Sequence, residues 1–342
     1  MDERKAIDTH LRRIGETAAD IGADITIMEI CGGHTNVIMR YGIRDILPKN
    51  VRLISGPGCP VCVTPQRDID CVIELAMCGI PVATYGDMMR VPGSRHSLEQ
   101  ARARGGRVFE VYSATEAVTL KKAHPDTAFF GIGFETTAPM TAYLLENGVS
   151  VYSSHRLVPP ALEALMAGEV RVDGFIDPGH VSTIIGVKPY RRIKVPQVIS
   201  GFTPERILRG IMLLLELIRD GRDIVVNGYP EAVKEEGNRK ARRLLERHFT
   251  HSDCEWRGLG TIPKSGLEVR DGSLDAKAVH KALLDRVPAP KKTGCRCGEI
   301  LKGLIQPTGC PLYRRACSPE HPKGACMVSE EGSCAIYYRF GK

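Results

Sequence analysis

Two short stretches near the start of the chain, "EICGGHTN" and "SGPGCPVCVT", hold three cysteines and a histidine in settings that suit chemistry better than packing. Cys31 is followed three residues later by His34, with two glycines between them. A thiolate needs a donor or a metal to hold its charge, and a nearby imidazole can move protons. Cys59 and Cys62 form a CxxC pair at the start of a helical pattern, where free amides and the helix dipole lower a thiol pKa. Such a pair can oxidise to a disulfide or chelate a soft metal. Plain core filling is the competing reading, and Gly56, Pro57, Gly58 and Pro60 stiffen the backbone beyond what filling requires. A Cys–His protease dyad is disfavoured, because its members normally lie far apart in sequence and nothing here supplies an orienting Asn or Asp. Cys71 and Cys78, seven apart on the following helix, are expected to pack in the core.

A second cysteine group lies at the other end: Cys295, Cys297, Cys310, Cys317, Cys326 and Cys334, several of them beside glycine or proline. The only histidine among them is His321, so four-thiolate ligation is favoured, by zinc or by an iron–sulfur cluster. The two tight CxxC pairs of a zinc ribbon are absent. Wide, irregular spacing suits a [4Fe–4S] cubane better, with two thiols to spare.

Three further loops carry polar residues after strand-like runs. "GFETTAP" offers Glu135 as a base or acceptor, with Thr136 or Thr137 capping the helix that follows. Gly131 and Gly133 begin a GxG, but the third glycine and a P-loop lysine are missing, so a nucleotide fingerprint is weak. "YGDMMRVPGS" carries Asp87 and Arg90, and "DPGHVSTIIG" carries Asp177 and His180. In open α/β sheets such loops gather on one edge, where ligands bind.

What positions these residues is a strand–helix alternation. Strand-like runs occur at 23–30, 51–55, 81–85, 127–134, 149–154, 172–177, 195–200 and 222–227, with helical patterns between many of them. That is the signature of parallel α/β units. The pattern predicts two small Rossmann-like parallel-sheet domains, 21–125 and 126–228. A third, mostly helical or irregular domain is expected from 1–20 with 229–342, carrying the cysteine-rich tail. The helix 203–221 should be capped by Thr203 and stopped by Gly221. From Pro288 onward the chain buries too little apolar surface to fold alone and needs a staple.

Composition agrees with a globular protein: 342 residues, 43% hydrophobic and 25% charged. The start is charged from Asp2, so no signal peptide is expected, and no run approaches a membrane span. A cytoplasmic location follows as an expectation. Twelve cysteines there argue for metal or redox work rather than a disulfide framework. The net charge of +7 is dispersed. Its densest stretch, "NRKARRLLERH", has the spacing of a solvated helix face, so no nucleic-acid partner is expected.

Taken in order over nearly the whole chain, "CGGHT", "GPGCPVC", "YGDMMRVPGS", "GFETTAP", "DPGHVSTIIG" and the cysteine-rich tail resemble the HypD family of hydrogenase maturation factors. The resemblance implies a scaffold or metallochaperone for the Fe(CN)2CO group of [NiFe] hydrogenases. It would act with HypC, which shares the iron, and HypE, which supplies cyanide, and be monomeric alone. It places the family's essential thiols on Cys31, Cys59 and Cys62, with His34 in the same motif as the first. The implied fold is two related α/β domains plus a third with a [4Fe–4S] cluster. The family's C-x12-C-x6-C-x16-C pattern falls on Cys297, Cys310, Cys317 and Cys334, leaving Cys295 and Cys326 spare, with Cys326 as the alternative ligand. Glu231 stands where the family would lead one to expect a basic residue. On this reading Cys31 and one CxxC thiol hold a transient iron group, the other thiol undergoes disulfide exchange, and Glu135, Thr136, Thr137, Asp87 and His180 line the ligand edge. Two rivals make different demands. An iron–sulfur thiol–disulfide oxidoreductase resembling ferredoxin-dependent thioredoxin reductase would need no HypC. A zinc-stapled binding module would tolerate loss of Cys31.

Overall fold

In the computed structural model, which describes residues 3–291 and 293–341, each of the eight anticipated runs forms a strand. They are β1 (Ile25–Glu29), β2 (Val51–Ser55), β3 (Val82–Tyr85), β5 (Ala128–Gly133), β6 (Ser150–Arg156), β7 (Gly174–Pro178), β8 (Gln197–Ser200) and β9 (Val225–Asn227). Three more were not anticipated: β4 (Val108–Val111), β10 (Phe249–Trp256) and β11 (Gly260–Val269). The first is only four residues long, and Pro263 inside the last disguises it as a loop.

The strands form two sheets. One is wholly parallel, in the order β2-β1-β7-β8-β9. The other, β10-β11-β6-β5-β3-β4, is parallel from β6 to β4 and closes with an antiparallel hairpin against β6. Helices cover both, so the fold is α/β, with Rossmann-like winding in each sheet. The sheets do not follow the expected division at 125. β1, with β2 on its outer edge, pairs with β7 from beyond residue 170, while β3 and β4 join β5 and β6. Neighbouring runs cannot reveal this exchange, because pairing is settled by which buried faces meet.

The expected third unit is also redistributed; its residues 1, 2, 292 and 342 lie outside the described residues. The helix Glu3–Ile21 lies on the first sheet, where Ile14 and Ala18 pack with Ile207, Ile211 and Leu215 of the helix Pro204–Arg219. That second helix starts as anticipated, with Thr203 accepting from the Arg206 amide at 3.3 Å, and Gly221 just beyond its end is left-handed at φ +61. The basic helix Arg239–His248 packs on the helix Ala138–Glu146 beside the second sheet. Among the described residues no helix is long and apolar enough to cross a membrane.

Each sheet has one point where strand order reverses, between β1 and β7 in the first and between β3 and β5 in the second. The carboxyl ends of strands flanking such a point are where open α/β sheets bind ligands. Cys31 and Asp177 end the first pair, and Asp87 and Glu135 the second. One continuous apolar core joins the two sheets and the tail, running from Met28 and Ile54 through Phe130, Phe175 and Ile199 to Ile300 and Leu301.

Candidate functional site

Cys31 is the N-cap of the helix Gly32–Arg40, held by backbone on both sides. Its N–H donates to Glu29 at 3.2 Å, and the next amide, of Gly32, donates to the Gly58 carbonyl at 3.1 Å. A side chain at Gly58 would collide with the Cys31 and Ile30 backbone, so glycine there is a matter of space. This contact brings "CGGHT" against "GPGCPVC". Cys59 caps the one-turn helix Pro60–Val63, and its sulfur is bonded to that of Cys62 in a disulfide with Cα atoms 5.2 Å apart. Both are buried. The following helix, Gln66–Met77, is pinned to β6 through Asp68, which accepts from Tyr152 at 3.0 Å and Ser154 at 2.6 Å and pairs with Arg156 at 3.4 Å.

The surroundings of Cys31, which is itself only part-buried, are acidic. Burial, reinforced by the Glu331 carboxylate, pushes its thiol up to about 12, against the pull of the His34 and Gly33 amides. Glu29, which no sequence motif flagged, is fully buried. Burial raises it to about 7, although Thr35, Ser55, Arg44 and the Cys31 amide favour its charged form. Glu135 is driven to about 8 by burial; one of its oxygens accepts from the Val158 amide at 3.0 Å and the other has no partner among the described residues. Asp177 is fully buried with neither oxygen bonded among the described residues, and burial holds it well above the usual carboxylate range. Tyr190, fully buried in the turn Lys188–Arg192, lies within the fields of Asp177, Glu135 and Cys31, which joins the two reversal points into one locality.

His34 is fully buried; burial lowers it to about 4. Its Nε2 meets the Ser200 carbonyl at 3.2 Å and its Nδ1 has no partner among the described residues. Its ring stacks on Phe202 at 4.7 Å, and His180 stacks on Phe202 at 3.8 Å.

Other anticipated residues fall elsewhere. Thr137 is the N-cap of the helix Ala138–Glu146, but its hydroxyl donates back to the Ile132 carbonyl at 3.1 Å instead of capping, and Thr136 is exposed. Asp87 and Arg90 turn toward the tail. Ser329 donates to Asp87 at 3.3 Å, and Arg90 donates to the Pro319 carbonyl at 2.7 Å. Cys71 is buried in the core as anticipated. Cys78 is exposed, because the helix ends at Met77 and its C-cap faces outward. Glu231 forms a surface ion pair with Arg206, whose guanidinium lies over Tyr229 at 4.9 Å.

The six tail cysteines line one small cavity, closed by Ile300, Leu312, Tyr313 and Met327. Cys297 and Cys326 sulfurs are 3.1 Å apart, and the Lys323 amide donates to Cys317 at 3.3 Å. Burial, then the sulfurs of Cys297, Cys295, Cys317 and Cys310, hold the Cys334 thiol protonated. So many thiols can ionise together only around cationic metal. Among the described residues no three His, Cys, Asp or Glu side chains converge on one point as a single ion would need. Six sulfurs around one cavity are donors of the kind that zinc or an iron–sulfur group takes.

The cavity abuts the first site. The helix Ala325–Val328, with Cys326, packs on Pro60–Val63, and the helix Ser333–Phe340, with Cys334, packs on Gly32–Arg40. Arg257 sits at this junction: its amide donates to Val63 and its guanidinium to Thr64, both at 2.8 Å, while its charge favours ionisation of Cys295, Cys297 and Cys326. Nothing in the local sequence marks it.

Comparison with known proteins is consistent along the chain. Residues 5–341 match the HypD model, described as "Hydrogenase formation hypA family". The hydrogenase expression/formation protein HupD of Azotobacter chroococcum mcd 1 is 43% identical over 95% of this chain and 91% of its own. The hydrogenase maturation factors HypD of Azotobacter vinelandii and of Rhizobium leguminosarum bv. viciae are 43% and 40% identical. Their alignments cover 96% and 99% of this chain, and 96% of each relative.

Proposed function

The chain belongs to the HypD family of hydrogenase maturation factors, and from that premise we propose that it is the scaffold on which the Fe(CN)2CO group of [NiFe] hydrogenase is assembled. The observation that carries this reading is the backbone contact that sets Cys31 beside the CxxC loop at a strand-order reversal. Iron enters as cargo, with HypC sharing it and HypE delivering cyanide. Cyanide and carbon monoxide favour low-spin ferrous iron, for which thiolates are suitable soft donors. Cys31 and one CxxC thiol hold the iron. The bound iron replaces the Cys31 proton, which burial otherwise retains.

The oxidised CxxC has no free thiol to offer. Two electrons and two protons open it to two thiols, so iron capture follows the redox state of Cys59 and Cys62. In the tail, Cys297, Cys310, Cys317 and Cys334 would hold a [4Fe–4S] cluster, with Cys326 as the alternative to one of them. Such a cluster, when bound, supplies one-electron transfer. The packing of the Cys326 helix on the Cys62 helix also keeps a second reading in play, an iron–sulfur thiol–disulfide oxidoreductase.

Infrared spectroscopy of the protein purified anaerobically with HypC, alongside an iron and sulfide assay, tests the choice. Cyanide and carbonyl stretches that vanish in Cys31→Ala while cluster iron remains are expected. Cluster iron without those bands in the wild type, together with turnover of generic disulfides in the absence of HypC, would favour the oxidoreductase.

A further inference from the structure

We infer that Phe202 is a positioning residue that holds His34 in one tautomer, with Nε2 protonated and Nδ1 left as a bare lone pair, on the helix that Cys31 caps. The inference deepens the reading of Cys31 and His34 as working residues, but its geometry stands apart from any metal.

The Ser200 carbonyl can only accept, so the nitrogen facing it at 3.2 Å carries the proton. Nδ1 is then unprotonated, and it is buried with no partner among the described residues. A hydrogen bond on one ring nitrogen is how proteins commonly choose which nitrogen is left to act. The bond alone does not stop the ring from turning. Phe202 does, because its ring lies against the His34 face with centroids 4.7 Å apart and planes 26° apart. To flip, His34 must pass edge-on through the space that Phe202 fills. Phe202 in turn is backed by His180, at 3.8 Å and 21°.

This sandwich gives a reason for glycines in two separate motifs. A side-chain carbon on Gly33 would stand 3.1 Å from two atoms of the Phe202 ring. One on Gly179 would stand 2.5 Å from the Ser200 carbonyl that His34 faces, 2.9 Å from Tyr229 and 3.3 Å from the same ring. Neither glycine has a left-handed backbone, so space and not conformational freedom requires them: at Gly33 room for the ring, at Gly179 first room for the Ser200 carbonyl and then for the rings beside it. "CGGHT", "DPGH" and "SGFTP" thus close on one aromatic ring.

The test is long-range proton–nitrogen NMR of the full chain labelled with 15N-histidine, with His34 assigned by its absence in His34→Gln. The wild type is expected to show only the Nε2–H tautomer. Phe202→Tyr should keep that signature. Phe202→Ala, and Phe202→Leu should the alanine variant fail to fold, should lose it to a resolvable second population with Nδ1–H. Gly33→Ala, which displaces the ring, should do the same. A wild-type His34 protonated on Nδ1 would overturn the tautomer. An unchanged His34 pattern in a Phe202 variant whose other histidine signals are native would overturn the role of Phe202. Neither readout needs iron or HypC, so failure here is distinct from failure of the scaffold reading.

Discussion

The two thiol-bearing regions touch, yet they are built on opposite principles. Around Cys31 thiols are few and polar atoms are left unsatisfied: both oxygens of Asp177, one of Glu135 and Nδ1 of His34 are buried without partners among the described residues. Around the tail cavity six sulfurs share an apolar wall. Unsatisfied buried polar groups cost stability and are kept where something is to be met. A closed shell of thiols suits a group that is to be held. On the proposed reading the contrast separates a place of exchange from a place of storage, with Arg257 bonded to the CxxC helix and turned toward the tail sulfurs.

The largest effect should come from the storage side. Cys317→Ala and Cys334→Ala are expected to remove nearly all acid-labile sulfide and unfold the tail, read by sulfide assay and limited proteolysis, whereas Cys31→Ala should leave both intact. Parallel losses in all three would erase the contrast.

On the exchange side, Glu135 gives a pH signature. Its folded pKa of about 8 lies above the ordinary 4.5, so its contribution is fully present below about 4.5 and is lost as pH rises through about 8. Glu135→Gln, neutral throughout, should flatten that decline. By linkage the variant gains on the order of 4 kcal/mol over wild type at the alkaline end, measured by urea unfolding across pH. A constant difference at every pH would show that Glu135 is ionised when folded.

Glycines sharpen the comparison further. Gly58→Ala meets unyielding backbone and should cost about 3 kcal/mol. Gly324→Ala meets chiefly the Cys295 sulfur, which can rotate away, and should cost about 1 kcal/mol in the apoprotein. Equal losses in chemical denaturation would count against the difference in rigidity. Arg257→Gln removes a cation near three tail thiols and should lower the reduction potential of the proposed tail cluster by tens of millivolts in a redox titration. An unchanged potential would detach Arg257 from the tail. Smallest of all, Cys78→Ser on the surface should change stability by less than about 0.5 kcal/mol.

The chemistry-bearing motifs were legible because they follow strands, and strand ends in α/β folds carry function. Eight strands could be read from apolar runs, and the Thr203 start of a long helix from its capping residues. Less could be read where a residue matters only through a distant partner. Glu29 looks like an ordinary strand residue until Thr35 and the Cys31 amide close on it. Phe202 looks like a loop aromatic until two histidines from other motifs stack on it. Thr137 had the right type to cap a helix, but its hydroxyl turned back to Ile132.

By itself, then, the sequence determined the α/β class, most of the strands, the family, and which cysteines come in groups. Only the tertiary structure decided that β1 pairs with β7 and that β1 and β2 lie in a different sheet from β3, that the N-terminal helix lies on the first sheet, and that the tail cavity abuts the CxxC helix. The reason is physical. Periodicity along a chain records which face of an element is buried, whereas the choice of what covers that face depends on area and shape matched between segments far apart in sequence.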